Sequence, residues 1–297
     1  MRGAVFDPDL GWRLVPGITK KDGQWMSVTP ATTNSLGWRD DEFASEKATD
    51  RARILALGDS FTFGVGVDYG DRFSEVLERD RPETEVLNMG VFAYGPDQAL
   101  LAYELHGRSV DPDIVVLGLY LGNDLDDIKS RVVHSFPKPY FVLDPDSLVL
   151  VRPKPSWSVA ARSRSYIAEL VFRITEGRQL RWETAPELVG ASEIDLLLAV
   201  LNRLSTDTAA DEANLLVVVI HPRDASADQR TRYEFVTAEI QRAGHNLLDL
   251  REVFLSASQQ GEHLYLADGH WNPAGHRLVA EALQAELVGR GWLPEVR

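Results

Sequence analysis

Four short clusters in the chain carry residue types that together suit acyl transfer. The first is Leu57-Gly58-Asp59-Ser60-Phe61-Thr62-Phe63-Gly64, which follows the apolar run Ile54-Leu55-Ala56-Leu57. A serine on a tight strand-to-helix turn exposes its hydroxyl and sets backbone N–H groups beside it. That geometry suits attack on a carbonyl and stabilisation of the resulting oxyanion. Ser and Asp are also common helix caps, so this cluster alone is ambiguous. The last cluster, Asp268-Gly269-His270-Trp271-Asn272-Pro273-Ala274-Gly275-His276, sets a carboxylate one residue from an imidazole. Asp268 is expected to orient His270 Nδ1–H, leaving the other ring nitrogen to accept the serine proton. Gly269 between them tolerates the tight backbone this needs. The remaining two clusters each follow a candidate strand: Asn88-Met89-Gly90-Val91-Phe92-Ala93-Tyr94-Gly95 and Gly122-Asn123-Asp124. An N–H of the former could face the serine, and the Asn123 amide could donate to an oxyanion. Glycine and asparagine at such places are also ordinary turn formers.

Other chemistries fit less well. Gly64-Val65-Gly66 lacks the Gly-Lys-Ser/Thr of a phosphate loop, and the turn after Leu57 lacks the spaced glycines of a dinucleotide site. Asp124, Asp126, Asp127, Asp268 and His270 could be assembled into an oxygen-rich magnesium or manganese site, but that gives Ser60 no task. The expectation is no metal and no cofactor. His106, His134, His221, His245 and His263 have no evident acid or base partner in the sequence, although His221-Pro222-Arg223 ends a strand and could line a cleft. His276 falls inside the last helix and is expected to be structural or to support the site.

The elements that must position these clusters alternate along the chain. Strands are expected at 54–57, 86–87, 114–120, 215–220 and 246–250, and helices at 73–78, 97–108, 192–205, 227–243 and from Pro273 to about residue 287. The unbroken apolar character of 114–120 and 215–220 suits a parallel sheet buried on both faces. Such alternation predicts an α/β fold, a three-layer α/β/α sandwich around a mainly parallel sheet. Ligands there bind beyond the carboxyl ends of the strands, where the clusters lie. Residues 1–50 are expected to form an extension packed on the core, with short extended segments at 11–15 and 24–29. Residues 51–297 form the main domain, and the alternation pauses at about 125–190, expected to be a lid or subdomain with a helix at 164–174. Phe136, Pro137, Tyr140 and Phe141 are expected either to shape the substrate pocket or to form the insertion's own core.

Composition narrows the function classes. The 297 residues contain no cysteine, which excludes disulfides, thiolate nucleophiles and thiolate metal sites. A net charge of −14 disfavours nucleic acid as a partner. The first residues lack the apolar core of a secretory signal and no run is long enough to span a bilayer, so a cytoplasmic location is expected.

Together the four clusters resemble the SGNH hydrolase superfamily, the GDSL-type lipases and esterases, over about residues 52–288. The resemblance implies the flavodoxin-like fold of that superfamily, with Ser60 as nucleophile and its N–H as an oxyanion donor. It further implies Asn123 Nδ2 as another donor, and a backbone N–H from the second block that falls on Ala93 by register, with Gly90 as second choice. Two departures stand out: Gly-Asp-Ser is followed by Phe61 rather than Leu, and the carboxylate precedes His270 by two positions instead of three. The short Asp-x-His block resembles the branch containing polysaccharide O-acetyltransferases, and Gly11-Trp12-Arg13 with Asn34 and Gly37-Trp38-Arg39 is similar to the N-terminal extension of bacterial SGNH-domain proteins. The implied activity is cleavage of a small-molecule or carbohydrate acyl ester through an acyl-enzyme on Ser60. The alternative is O-acyl transfer to a sugar or metabolite hydroxyl by the same residues.

Overall fold

The computed structural model describes residues 4–18, 32–44, 46–133, 136–144, 147–153, 182–184 and 192–295. Its strands are β1 (Ala4–Asp7), β2 (Gly11–Leu14), β3 (Ala52–Leu57), β4 (Thr84–Asn88), β5 (Ile114–Tyr120), β6 (Ser130–Val133), β7 (Phe136–Pro137), β8 (Tyr140–Asp144), β9 (Ser147–Val151), β10 (Trp182–Thr184), β11 (Asn214–Ile220) and β12 (Leu247–Asp249). Its helices are α1 (Ser60–Phe63), α2 (Phe73–Asp80), α3 (Pro96–Leu105), α4 (Asp124–Asp127), α5 (Glu193–Ala210), α6 (Ala227–Arg242), α7 (Arg251–Gln259) and α8 (Pro273–Gly289).

The main sheet has the order β12-β11-β5-β3-β4, and every pairing in it is parallel. Strand alternation divides the core into two layers. Leu55, Leu57, Val115, Leu117, Val217 and Val219 face α3, α5 and α6, whereas Ile54, Ala56, Val116, Leu216 and Val218 face α2, α7 and α8. Both faces are therefore buried, which is why these strands read as continuous apolar runs. The strand order reverses between β3 and β5, and a crevice opens beyond the carboxyl ends of strands at such a reversal. Ser60 follows β3 and Asn123 follows β5, so the topology brings these two clusters to that crevice.

The described part of the N-terminal extension is built into this core. β1 and β2 form an antiparallel hairpin, and Trp12, fully buried, meets Tyr94 edge-on with ring centroids 5.2 Å apart and stacks on Phe136 at 6.4 Å. Arg39 is buried as well. Its guanidinium donates to the carbonyls of Phe63 (2.9 Å), Gly64 (2.6 Å) and Val67 (2.8 Å), the unsatisfied carboxyl end of α1 and the turn after it. Burial and the neighbouring Arg72 charge lower the Arg39 pKa to about 9.

Between residues 125 and 190 the described segments are α4 and the short strands β6–β10. Phe136 and Phe141 are not a separate small core: both are buried in the main core cluster, with Phe136 against Trp12. Tyr140 is half-buried beneath the Arg131 guanidinium, 4.7 Å from the ring centroid. Lys138, on the turn between β7 and β8, is fully buried and pairs with Asp97 of α3. The expected strand at 24–29 and helix at 164–174 lie outside the described residues.

Candidate active site

Gly58 makes the turn that presents Ser60. Its φ is +146°, and a Cβ there would lie 2.4 Å from Thr62 Oγ1 and 2.9 Å from the Gly118 carbonyl, so only glycine fits. Asp59 caps α1 by accepting the Phe61 N–H at 2.9 Å, and its other oxygen lies 3.5 Å from Ser60 Oγ. Burial, with the Asp127 charge adding to it, pushes the Asp59 carboxyl up to about 7.

The last cluster comes back to this serine across 210 residues of sequence. His270 Nε2 lies 2.9 Å from Ser60 Oγ. On the opposite side of the ring, Nδ1 is 3.2 Å from Asp268 Oδ2, close enough for strong attraction though poorly aligned for a linear hydrogen bond. Asp268 Oδ1 also accepts the His270 backbone N–H at 3.1 Å. Gly269, at φ +93°, closes the turn between them. Burial opposes ionisation of Asp268, but the backbone and ring of His270 together hold its carboxyl below the usual value. The arrangement can move a proton from a serine hydroxyl to an imidazole and stabilise the imidazolium that forms.

Phe61 holds the ring in place. Its side chain packs against His270 (5.1 Å between centroids), Trp271 (4.8 Å) and Tyr120 (4.5 Å). The sequence showed Phe61 only as a departure from a motif; the aromatic Trp271 beside His270 was the available signal for its role. His276 is separate from the proton path: it is buried and its Nδ1 accepts the Phe73 N–H at 3.2 Å. Burial, reinforced by the charges of Arg72 and Arg39, lowers its pKa to about 3, so it stays neutral.

The second cluster lies against the first. Val91 N–H donates to the Gly58 carbonyl at 3.0 Å, and Asn88 Nδ2 donates to the Thr62 carbonyl at 2.8 Å. Gly90 is not available as an oxyanion donor, because its N–H donates to Asn88 Oδ1 at 3.0 Å. It is a packing glycine whose Cβ would lie 2.6 Å from Thr62 Cγ2. Ala93, in contrast, has no partner for its N–H among the described residues, and it adopts φ +60°. An L-residue pays about 1–2 kcal/mol for that conformation. Ala93→Gly is therefore expected to keep activity and, after the added freedom of the unfolded chain is subtracted, to stabilise the fold by up to about 1 kcal/mol, read as a raised denaturant midpoint. Asn123 starts α4, accepting the N–H groups of Asp126 and Asp127 on its carbonyl, and its Nδ2 donates to Asp127 Oδ2 at 2.5 Å.

A cleft of about 270 Å³ runs beside this constellation, with Tyr120 and Gly122 on one wall, Asp268 and Gly269 on another, and Arg223, Gln229 and Tyr233 supplying polar groups. Phe136, Pro137, Tyr140 and Phe141 do not line it. A second cleft of similar size shares Pro222 and Arg223 with it and is floored by Leu250, Phe254 and Trp271. His221 lines that second cleft, with Nε2 3.0 Å from Asp249 Oδ1, a carboxylate partner the sequence did not reveal. Asp124 and Asp127 are buried and engaged by Tyr120 N–H and Asn123, and no group of three or more His, Asp or Glu among the described residues is placed to hold a metal ion.

Residues 218–295 match the family model described as the SGNH hydrolase-like domain of the acetyltransferase AlgX. Over this span the chain is similar to an SGNH hydrolase-like domain. The matched span contains the Asp268-x-His270 element and α8 but not the Ser60, Ala93 and Asn123 clusters, which the fold itself brings to the same crevice. No curated protein matches the chain by sequence. Similar solved structures include the psychrotrophic esterase EstA from Pseudoalteromonas sp., 13% identical, covering 82% of this chain and 99% of its own, with a TM-score of 0.48. Another is the acetylxylan esterase Axe2 from Geobacillus stearothermophilus, 14% identical over 82% of this chain and 96% of its own, TM-score 0.47. A third is a member of the lipolytic G-D-S-L family from Veillonella parvula, 15% identical over 79% and 97%, TM-score 0.46. The parallel sheet and its flanking helices form the three-layer α/β/α sandwich expected from the sequence. No described helix is long and apolar enough to cross a membrane.

Proposed function

We propose that the chain is a serine acyl-ester hydrolase acting through an acyl-enzyme on Ser60. The carrying observation is the line Ser60 Oγ, His270 and Asp268, with separations of 2.9 Å and 3.2 Å. Ser60 attacks the ester carbonyl as His270 Nε2 takes its proton. The Ser60 N–H, the Ala93 N–H and Asn123 Nδ2 receive the developing oxyanion, and His270 then protonates the leaving alcohol. Water, deprotonated by His270, then attacks the acyl-enzyme; the acyl–Oγ bond breaks, His270 returns the proton to Ser60 Oγ, and the carboxylic acid is released. The polar cleft beside Asp268, with Tyr120, Arg223, Gln229 and Tyr233, favours a hydroxyl-rich alcohol such as a sugar as the leaving group.

A second reading is supported by the match over residues 218–295 to an acetyltransferase-type domain. There a sugar or metabolite hydroxyl replaces water in the second step, and the same residues carry it. Intact-protein mass spectrometry after mixing with a panel of acyl esters tests both. The expected result is a transient mass increment equal to one acyl group, mapped to Ser60, with its decay in water or in added sugar separating hydrolysis from transfer. Turnover with no such increment at any time after rapid quenching, or an increment mapped to another residue, would overturn the acyl-enzyme.

A further inference from the structure

A donor to an oxyanion must present a free N–H in a fixed direction, and the Asn123 side chain has an unusual balance of partners. One of its two Nδ2 hydrogens goes to Asp127 Oδ2 at 2.5 Å, whereas its Oδ1 is buried with no hydrogen-bond partner among the described residues. An unsatisfied buried acceptor costs roughly 1–3 kcal/mol, so this orientation needs a reason outside the amide itself. A carboxylate supplies it. Ionised, it has only lone pairs to offer, so it selects the NH₂ end of the amide and rejects the flipped side chain. The backbone secures the pair a second time, since Asp127 N–H donates to the Asn123 carbonyl at 2.8 Å.

Resting on the acyl-transfer mechanism above, we propose that Asp127 is the positioning residue of the oxyanion site: its carboxylate holds Asn123 Nδ2 through one hydrogen and leaves the second directed to the reacting carbonyl. Asp127 is itself buried, and the groups that face it are Asp97 on α3, Asp126 on its own helix, Lys138 from the turn between β7 and β8, and the Asn123 amide. Its charge also reaches Asp59 and Asp124. Lys138 is the one cation in this group, fully buried and paired with Asp97. The segment between β7 and β8 thus contributes an ammonium behind the oxyanion donor. Burial pushes the Asp127 carboxyl up to about 6, against the pull of Lys138. With a raised pKa, the carboxylate that positions Asn123 is present above about pH 6 and is lost as pH falls through that value.

Steady-state kinetics on Asp127→Asn, Asn123→Ala and the double variant test this. Asp127→Asn should lower kcat by roughly tenfold to hundredfold with KM little changed, because a misdirected donor forfeits part of what its deletion costs. The double variant should be no slower than Asn123→Ala alone, since Asp127 acts through that side chain. A residue that merely supports the fold would give multiplicative defects, and that result overturns the proposal. If Asn123→Ala is severe and Asp127→Asn is harmless, the proposal falls while the acyl-transfer mechanism stands. If Asn123→Ala is itself harmless although Ser60→Ala is inactive, Asn123 is no donor and the proposal falls with that assignment. Should Asp127→Asn not fold, the wild-type protein decides by ¹⁵N NMR. The Asn123 side-chain amide, identified as the pair missing from Asn123→Asp, should show one downfield proton that moves as Asp127 titrates near pH 6. An amide pair that does not respond there overturns the proposal.

Discussion

Ser60→Ala is expected to fold as the wild type does and to lose roughly 10⁵–10⁶-fold in kcat toward acyl esters. The loss is large because the hydroxyl both forms the new bond and supplies the proton that His270 accepts at 2.9 Å, so no neighbouring group can replace either contribution. Folding should be spared because the architecture of the turn does not depend on that oxygen. Gly58 sets the backbone, Asp59 caps α1 through Phe61 N–H, and Arg39 closes the far end through three carbonyls. Removing Oγ takes away one approach to Asp59 at 3.5 Å, too long to stabilise much. A small residual rate should persist, since oxyanion donors act on attacking water without the nucleophile. Circular dichroism and rapid-quench kinetics, with labelling by a serine-directed phosphonate, check the outcome. Substantial turnover by pure Ser60→Ala, or phosphonate on another serine, would remove the nucleophile assignment.

What was legible in the sequence follows from which residues report on local geometry. β5 and β11 were readable because strands buried on both faces cannot alternate, and α3, α5, α6 and α8 because their apolar residues recur with a helical period. α8 announced its start, with Asn272 accepting Gly275 N–H and Pro273 in the first turn. α7 was missed: its nine residues bury only Phe254 and Ala257, too few for a helical pattern to stand out. The strands β6–β9 are short and proline-rich, so the sequence left Phe136 and Phe141 between a substrate pocket and a local core and did not show that both join the main core, Phe136 against Trp12 from more than a hundred residues earlier. In the site, Ser60, Asp268 and His270 lie in contiguous motifs and were nameable. Phe61, Arg39 and Asp127 reach the site residues only through contacts set by the tertiary fold, with no spacing to betray them. Gly90 was a fair second candidate on residue type, and only the hydrogen bond from its N–H to Asn88 disqualifies it.

The pairing of Asp268 with His270 should be as visible in kinetics as in geometry. Three other carboxylates could be assigned to orient the ring, and each is engaged elsewhere: Asp249 lies 3.0 Å from His221, Asp124 accepts the Tyr120 N–H at 2.7 Å, and Asp126 lies 3.6 Å from Lys129 Nζ. Asp268 sits on the same turn as the histidine and contacts it twice, through the ring at 3.2 Å and the backbone at 3.1 Å. Its lowered pKa keeps it ionised throughout the range in which a neutral imidazole can act as a base. Asp268→Asn deletes the charge that stabilises the imidazolium, and an amide can also present the wrong hydrogen-bonding end to Nδ1. A buried partner of this type is worth about 10⁴ in kcat. Here 47% of the Asp268 side chain is exposed, so solvent screening should reduce the loss to roughly 10²–10³. His270→Ala should cost more, about 10⁴ or beyond, since it removes the base itself. Because the carboxylate acts only through the ring, Asp268→Asn placed on His270→Ala should add almost nothing. Near-wild-type turnover by Asp268→Asn, or a double variant slower than His270→Ala by the full single-site factor, would show that the ring is oriented by another group.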